Sequence, residues 1–572
     1  MINKLFSSQI MFDVLSVLFK HQQKSLSTSE IIKVTGKNQA NIQRELGKLI
    51  KLDIVLKKSK NHQNFYSLNS NYRFFKALQG FFQEHDDNNH KYFLLNEESG
   101  VCFLSVDYVL TAYVADYGVK KGIIKEVSDT IAVYKGDYGQ FYFEKEVIEQ
   151  GAENSLKRLL KDSSFVFDII YPESIAVGEE AQKIFQELYS KDFQVSKDQA
   201  IKLFDKFLEI ISIQVGLNTI AVFDLKDQLY SNYLKKYLSD KVKKTNLHLS
   251  YVMERLLAPE KLTHTQILRL ELLKLALENK RVNIEDVWSR WCWLNYGYMG
   301  PGLELEYFEQ SIKELKIKKS AELEVEINSL LHNEQEVRKE KDKIYKQLKI
   351  DSKHQKFIDA LSLLSYLKIH RKDTAFLIFH VVYQIFARLL PKFKKTDLFN
   401  LTLEESKALL MGRLKISAKE LRERANYCAY SYREKKFYYG IEADKFLETK
   451  IVKEENQETG DNLKLLEGVA ACLGKTGNWI FGEVKIINSV ADMAKMKEGD
   501  ILVSVATTPD ILSAMKKAAA IVTDHGGITC HAAIVSRELN IPCLIATKYA
   551  TKVFKDGDKV VVCPRHNYIK FQ

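Results

Sequence analysis

Proline and glycine are scarce in this chain of 572 residues, with 7 of the first and 25 of the second. That scarcity excludes collagen-like and loop-rich all-β designs and favours long uninterrupted helices. Cysteine is equally thin. Cys102, Cys292, Cys428, Cys472, Cys530, Cys543 and Cys563 are odd in number, scattered and never spaced Cys-x-x-Cys. This argues against a disulfide framework and against a zinc site, and predicts a reducing, cytoplasmic setting. No basic start followed by an apolar leader is present, because Lys4 and Asp13 fall in a mixed stretch. The most apolar run, residues 374–390, is broken by His380, Gln384 and Arg388 and is short for a bilayer, so a buried helix and no membrane partner are expected. No Gly-x-x-x-x-Gly-Lys-Ser/Thr loop occurs, which excludes P-loop nucleotide chemistry.

What is present is an ordinary globular composition, 46% hydrophobic and 28% charged, on a chain long enough for three or four cores. The net charge of +11 is unevenly placed. Residues 1–80 hold thirteen Lys and Arg against four acids, a surplus of nine, as expected of a segment that approaches a polyanion. Helical spacing of Ile10, Val14, Leu15 and Leu18, of Ile31, Ile32 and Val34, and of Ile42, Leu46 and Leu49 predicts three short helices. Ser27 to Glu30 supplies a cap for the second, Gly36 closes it, and Asn38 restarts the third. Residues 54–56 and 65–68 read as strands around a basic tip, residues 57–62. This order resembles the winged helix-turn-helix of bacterial and archaeal regulators. The resemblance implies that Gln39, Asn41, Gln43 and Arg44 face a major groove while Lys57, Lys58 and Lys60 hold phosphates. It makes DNA a partner and a homodimer the form for specific binding. The same fold serves protein contact when its lysines are merely solvated.

Residues 86–449 are expected to be mainly helical. Strands are expected at 92–95, 101–104 and 140–143, and exposed Lys/Glu-rich helices over 311–349. Two stretches differ from this background. Residues 288–302 gather Trp288, Trp291 and Trp293 beside Gly300-Pro301-Gly302, and residues 366–373 group Lys368, His370, Arg371, Lys372 and Asp373 on adjacent helical positions. The first suits the wall of a pocket and the second a phosphate, although core packing is the more frequent use of such stretches.

From Gly468 the pattern changes to short strands at 483–487, 500–505, 520–523, 543–546 and 559–563, with helices near 509–518 and 532–539. Within it lies Thr523-Asp524-His525-Gly526-Gly527-Ile528-Thr529-Cys530-His531-Ala532-Ala533, continuing to Arg537. Gly526 and Gly527 admit a ligand close to the backbone, and Thr529 offers a hydroxyl. His531 opens a helix whose amides and dipole favour an anion, and small Ala532 and Ala533 keep it accessible. A neutral imidazole there is a competent nucleophile near neutral pH. His525 reads as a loop residue, and Cys530 is not expected to pair with the adjacent ring.

This run, with Gly499-Asp500-Ile501-Leu502-Val503, Thr507-Thr508-Pro509-Asp510 and Asp556-Gly557-Asp558, resembles the phosphohistidine swivelling domain, the mobile domain of PEP-utilising enzymes. Phosphoenolpyruvate synthase, pyruvate phosphate dikinase and rifampicin phosphotransferase carry it. Gly477 to Gly482 departs from the shorter glycine turn usual there. The resemblance implies a catalytic set of His531, Thr529, Gly526, Gly527 and Arg537, with His531 taking and passing on a phosphoryl group. The middle region weakly resembles the helical part that precedes this domain in PEP-utilising-like proteins. No ATP-grasp segment or metal-carboxylate barrel is evident. The expected donor is therefore ATP or phosphoenolpyruvate with Mg2+ on a separate ATP-grasp subunit, and the acceptor an unknown small molecule.

The expected fold is multidomain: an α+β winged helix over residues 1–80, a mainly α-helical region over 86–449, and an α/β swivelling domain over 465–572. The leading functional expectation is a phosphotransferase component. A transcription regulator tuned by phosphorylation of His531 is the alternative, and an inactive scaffold the least favoured.

Overall fold

The computed structural model describes residues 8–572 apart from 21–24, 36, 61–62, 77, 79–91, 100, 114–116, 126–127, 137, 223–228, 279–283, 452–464, 475–478, 508–510 and 527–529. The chain divides into two compact units, residues 1–91 with 448–451, and residues 92–447 with 452–572.

The first unit holds helices Gln9–Lys20, Thr28–Thr35 and Gln39–Lys51 and strands Leu26–Ser27, Val55–Lys60 and Gln63–Leu68. The last strand pairs antiparallel with both others. Val14, Leu15, Leu18, Ile31, Ile42, Leu46 and Leu49 form its core, as their spacing predicts. Ser27 and Glu30 cap each other at the second helix, the Ser27 N–H and hydroxyl both donating to Glu30 Oε2 at 2.7 Å. The Asn38 side chain accepts from the Asn41 N–H at 2.9 Å and starts the third helix. Gly36 lies outside the described residues. One expectation needs correction: Lys57, Lys58 and Lys60 do not sit on a turn tip but along the strand Val55–Lys60, exposed on it, because pairing extends to Lys60 opposite Gln63.

The second unit joins a helical body to two sheets. A five-stranded antiparallel sheet runs in the order Tyr92–Ser99, Tyr138–Glu144, Thr130–Lys135, Cys428–Ser431, Lys436–Tyr439. The strand expected at 101–104 is instead the start of helix Phe103–Tyr113. Nearly every described side chain in that helix is buried, Ser105 and Asp107 included, so no exposed polar face marks its period, and the short apolar run at 101–104 does not distinguish a buried strand from a buried helix. The 38-residue helix Ser352–Leu389 passes through the body against helices Tyr171–Tyr189 and Lys197–Val222. The apolar run at 374–390 belongs to it, and no described helix is long and apolar enough to cross a membrane. The Lys/Glu-rich stretch forms helices Leu305–Ile317, Ser320–Leu331 and Asn333–Gln347.

The C-terminal sheet has eight strands. Ile480–Ile486, Ile501–Ser504, Ala520–Thr523 and Cys543–Ile545 are parallel neighbours in that order, and antiparallel strands flank them on both sides. Helix His531–Leu539 is the crossover between the last two of these parallel strands, so its N-terminus stands at their carboxyl ends, where open α/β sheets place their ligands.

The long helix is seated on the body at one tight point. A Cβ on Gly178 would collide with the His370 ring, whose Nε2–H donates to the Ser174 carbonyl at 3.2 Å. Gly178→Ala should therefore lower unfolding stability by about 1–3 kcal/mol, read as a shift of the chemical denaturation midpoint. A midpoint equal to that of the parent would mean that the contact carries no weight.

Candidate functional site

Two loops at the carboxyl ends of adjacent parallel strands build the site. After strand Ala520–Thr523, the buried Asp524 carboxylate accepts from the Thr551 N–H at 3.1 Å and the Thr547 hydroxyl at 3.3 Å, which pins the loop at its root. Gly526 adopts φ +124°, and a Cβ there would strike the Cys530 side chain, so glycine alone fits. Gly527 and Thr529 lie outside the described residues. Cys530 takes extended backbone angles as the residue before the helix, and its side chain does not cap the first turn. Burial pushes the Cys530 thiol up, which argues against a thiolate partner for the ring.

His531 is the first residue of helix His531–Leu539. Its Nδ1 lies 2.9 Å from the Thr507 hydroxyl, which follows strand Ile501–Ser504. With Nδ1–H donating to that oxygen, the ring keeps its Nε2 lone pair for a ligand. Burial, and after it the Lys372 ammonium, push the imidazole down from 6.5 to about 3. The ring is thus neutral throughout the physiological range.

The ring opens on a cavity of about 250 Å³. Lys368, Arg371, Lys372 and Asp373 of the long helix line it together with Thr507, Lys516, His525, Gly526, His531 and Glu538 of the C-terminal region. Arg371 Nη1 is buried without a hydrogen-bond partner, a donor placed for an incoming oxyanion. Four cationic side chains against two carboxylates make the cavity attractive to phosphate. Asp373 accepts from His264 Nδ1–H at 2.8 Å, and Gln182 holds the other ring nitrogen at 3.0 Å. Glu538 accepts from the Thr263 hydroxyl at 2.9 Å. Burial first, and Asp373 in addition, push its carboxyl from 4.5 up to about 7, against the Thr263 bond, which lowers it.

Of the sequence candidates, His531 and Gly526 meet at this cavity. Arg537 does not line it: its Nε donates to the Ala471 carbonyl at 2.9 Å, toward strand Val469–Cys472. Lys368, Arg371 and Lys372 come from the stretch that sequence reasoning weighed mainly as core. Asp373 closes the same stretch, and Glu538 follows Arg537 in the run around His531, but neither was assigned a role from sequence. Thr507 stood out only as part of the mobile-domain resemblance. In the tryptophan-rich stretch all three indole N–H groups donate within the protein, Trp288 to the Leu303 carbonyl, Trp291 to Glu271 and Trp293 to the Arg290 carbonyl. Trp291 and Trp293 are packing elements, while Trp288, Cys292, Pro301 and Gly302 line a second cavity, as expected of a pocket wall, and Asn295 and Tyr298 reach the cavity at His531.

In the first unit Gln39, Gln43 and Arg44 are exposed and Asn41 is half-buried on the third helix, opposite its apolar face. Arg44 Nε donates to the buried carboxylate of Glu45 at 3.2 Å, and Lys48 reaches the same group at 3.0 Å. Among the described residues no group of three or more His, Cys, Asp or Glu side chains is placed to hold a metal ion.

Residues 496–566 match the family described as PEP-utilising enzyme, mobile domain. The chain is similar to a probable phosphoenolpyruvate synthase of Archaeoglobus fulgidus, 53% identical over 115 residues, which are 20% of this chain and 15% of that protein. It is also similar to the phosphoenolpyruvate synthases of Pyrococcus furiosus, 48% identical over 114 residues (20% of this chain, 14% of the relative), and Escherichia coli, 49% over 81 residues (14% and 10%). The likeness therefore spans about a seventh or less of each relative's length.

Glu538 binds its proton more tightly folded than unfolded. Its contribution to stability is present below pH 4.5 and is lost as the pH rises through about 7. Glu538→Gln should accordingly raise unfolding stability at pH 8 by roughly 1–3 kcal/mol, with the gain vanishing near pH 4.5. Denaturation at the two pH values checks this, and an equal effect at both would refute it.

Proposed function

Proceeding from a C-terminal region that is a PEP-utilising enzyme mobile domain, we propose that this protein relays a phosphoryl group through His531. The observation that carries the reading is the ring itself: neutral, held at Nδ1 by Thr507, and open to a cavity lined by Lys368, Arg371, Lys372 and Lys516. Its Nε2 lone pair attacks the phosphorus of the donor, a nitrogen–phosphorus bond forms, and the leaving oxygen departs with the electron pair of the broken bond. The Nδ1 proton stays on its Thr507 hydrogen bond. The cations and the first-turn amides of helix His531–Leu539 neutralise the arriving oxygens. In the second half the nitrogen–phosphorus bond breaks toward an acceptor in the cavity.

A separate ATP-grasp subunit would phosphorylate the ring from ATP or phosphoenolpyruvate, with Mg2+ held beside the donor on that subunit. Thr529 and Gly527 are proposed for the catalytic set on the resemblance to the mobile domain alone. Arg537 is proposed to act through the position of its helix, since it holds strand Val469–Cys472.

Incubation with labelled ATP or labelled phosphoenolpyruvate, with and without a candidate ATP-grasp subunit, should give acid-labile label that His531→Ala abolishes. Thr507→Val should slow labelling about tenfold or more by releasing the tautomer. Failure of every donor to label the protein would dispose of the relay.

A second reading rests on the first unit. Three helices, a three-stranded sheet and an exposed polar stripe on the third helix, with Lys57, Lys58 and Lys60 exposed along one strand, support a winged helix-turn-helix that binds DNA, under the control of the state of His531. The helix stripe would lie in the major groove and the strand lysines against the phosphate backbone. Affinity should fall steeply with salt, and Lys57→Ala with Lys58→Ala should reduce the logarithmic salt slope by about 2. Binding indifferent to salt would speak for a protein-contact module instead.

A further inference from the structure

The lining of the cavity beside His531 carries a second chemistry, opposite to that of its cations. Leu95, Val109, Leu110, Phe143, Ile211 and Phe376 line the same cavity. These side chains come from the strands Tyr92–Ser99 and Tyr138–Glu144 and from helices Phe103–Tyr113, Lys197–Val222 and Ser352–Leu389, so five separate elements converge on one apolar surface. Two of the polar side chains beside this surface are already committed to backbone. The Gln214 amide donates to the Ser174 carbonyl at 2.6 Å, and the Thr374 hydroxyl donates to the His370 carbonyl at 2.9 Å. A small polar acceptor engaging only the cations would leave this wall against water, whereas an apolar body on it would remove both surfaces from solvent.

Resting on the relay through His531, we infer that the acceptor is a hydrophobic small molecule bearing one hydroxyl group, with its apolar body on the Leu95–Val109–Phe376 wall and its hydroxyl toward the His531 ring. The order of groups suits the transfer. The hydroxyl oxygen attacks the phosphorus carried on Nε2, a phosphorus–oxygen bond forms, and the nitrogen–phosphorus bond breaks with its electron pair returning to the ring. The hydroxyl proton passes to a phosphoryl oxygen of the forming ester and from there to water. A dianionic phosphate ester, a neutral imidazole that keeps its Nδ1 proton and one released proton result, with no other reactant needed. The new dianionic ester then sits among Lys368, Arg371 and Lys372, and its apolar end remains where the alcohol bound.

The probe is 2-naphthaleneethanol, an apolar fluorescent alcohol, set against glycerol and pyruvate on the intact chain. Its binding is read by fluorescence on unphosphorylated protein, and discharge of the acid-labile label is read separately on phosphorylated protein. Saturable binding is expected, weakened about tenfold in each of Val109→Gln and Leu95→Gln, two half-buried positions whose replacement disturbs the core least. The naphthyl alcohol should discharge the label into an acid-stable ester, faster than glycerol or pyruvate by tenfold or more. Discharge by pyruvate or glycerol with no binding of the naphthyl alcohol would overturn the inference. Binding that both wall variants leave untouched would also overturn it, since the alcohol would then lie elsewhere. Protein that never takes label yet binds the alcohol at the wall would instead defeat the relay, which separates the two failures.

Discussion

An imidazole attacks phosphorus only while it is neutral, and the packing around His531 holds it neutral. In water such a ring would be half-protonated near pH 6.5; here burial and the Lys372 ammonium drive that midpoint to about 3. The cost of desolvating a charged ring is what makes the neutral one available. The folded-state midpoint is depressed, so the linked contribution to stability is present above pH 6.5 and is lost as the pH falls toward 3. Thr507 adds what burial alone cannot, a hydrogen-bond partner for Nδ1 at 2.9 Å. The first effect needs the C-terminal region seated against helix Ser352–Leu389, because Lys372 belongs to that helix, whereas the Thr507 contact lies within the C-terminal region itself.

The same arrangement resolves a conflict of charge. Cations crowded near a neutral imidazole disfavour its protonation and favour anions beside it, so in the proposed relay Lys372 would serve both. Carboxylates in the same cavity would work against the phosphate, yet each is restrained. Asp373 is engaged by His264, and Glu538 has its proton affinity raised to a midpoint of about 7, so near neutrality it is only partly charged. The arrangement is a neutral nucleophile facing a cavity with both cationic and apolar lining, with the repulsive groups restrained.

How much of this was readable in the sequence depended on how far apart the cooperating residues lie. The helix of His531 was legible because its signals are contiguous: glycines, a nucleophile, then small residues within a single turn of chain. The first unit's core was legible for the same reason, since Ile42, Leu46 and Leu49 repeat at helical spacing. Thr507 lies 24 residues from the ring it orients, and Lys372 is farther still, so neither role follows from local pattern. Their partnership is a product of the crossover topology and the docking of a helix. The misread start of helix Phe103–Tyr113 has another cause, since burial on all sides erases the polar face that period analysis relies on. Strands Thr130–Lys135, Cys428–Ser431 and Lys436–Tyr439 were missed because the sheet they form joins segments about three hundred residues apart, and short strands carry little signal alone.

The likeness to phosphoenolpyruvate synthases covers one side of the cavity and not the other. Residues 496–566 contain Thr507, Lys516, His525 and His531, the cavity groups to which the proposed relay assigns the phosphoramidate. Lys368, Arg371, Lys372 and the apolar wall from Leu95 to Phe376 all lie outside that match. Phosphoryl chemistry needs only a nucleophile, its orienting partner and compensating charge, and these travel together in one compact sheet-and-helix unit. Selection of an acceptor depends on the opposite wall, which the helical body supplies from elements that are distant in sequence. Under the proposed relay, the shared half would supply the covalent step, and the recipient would have to be sought in the lining residues from 95 to 376 rather than in the motif around the histidine.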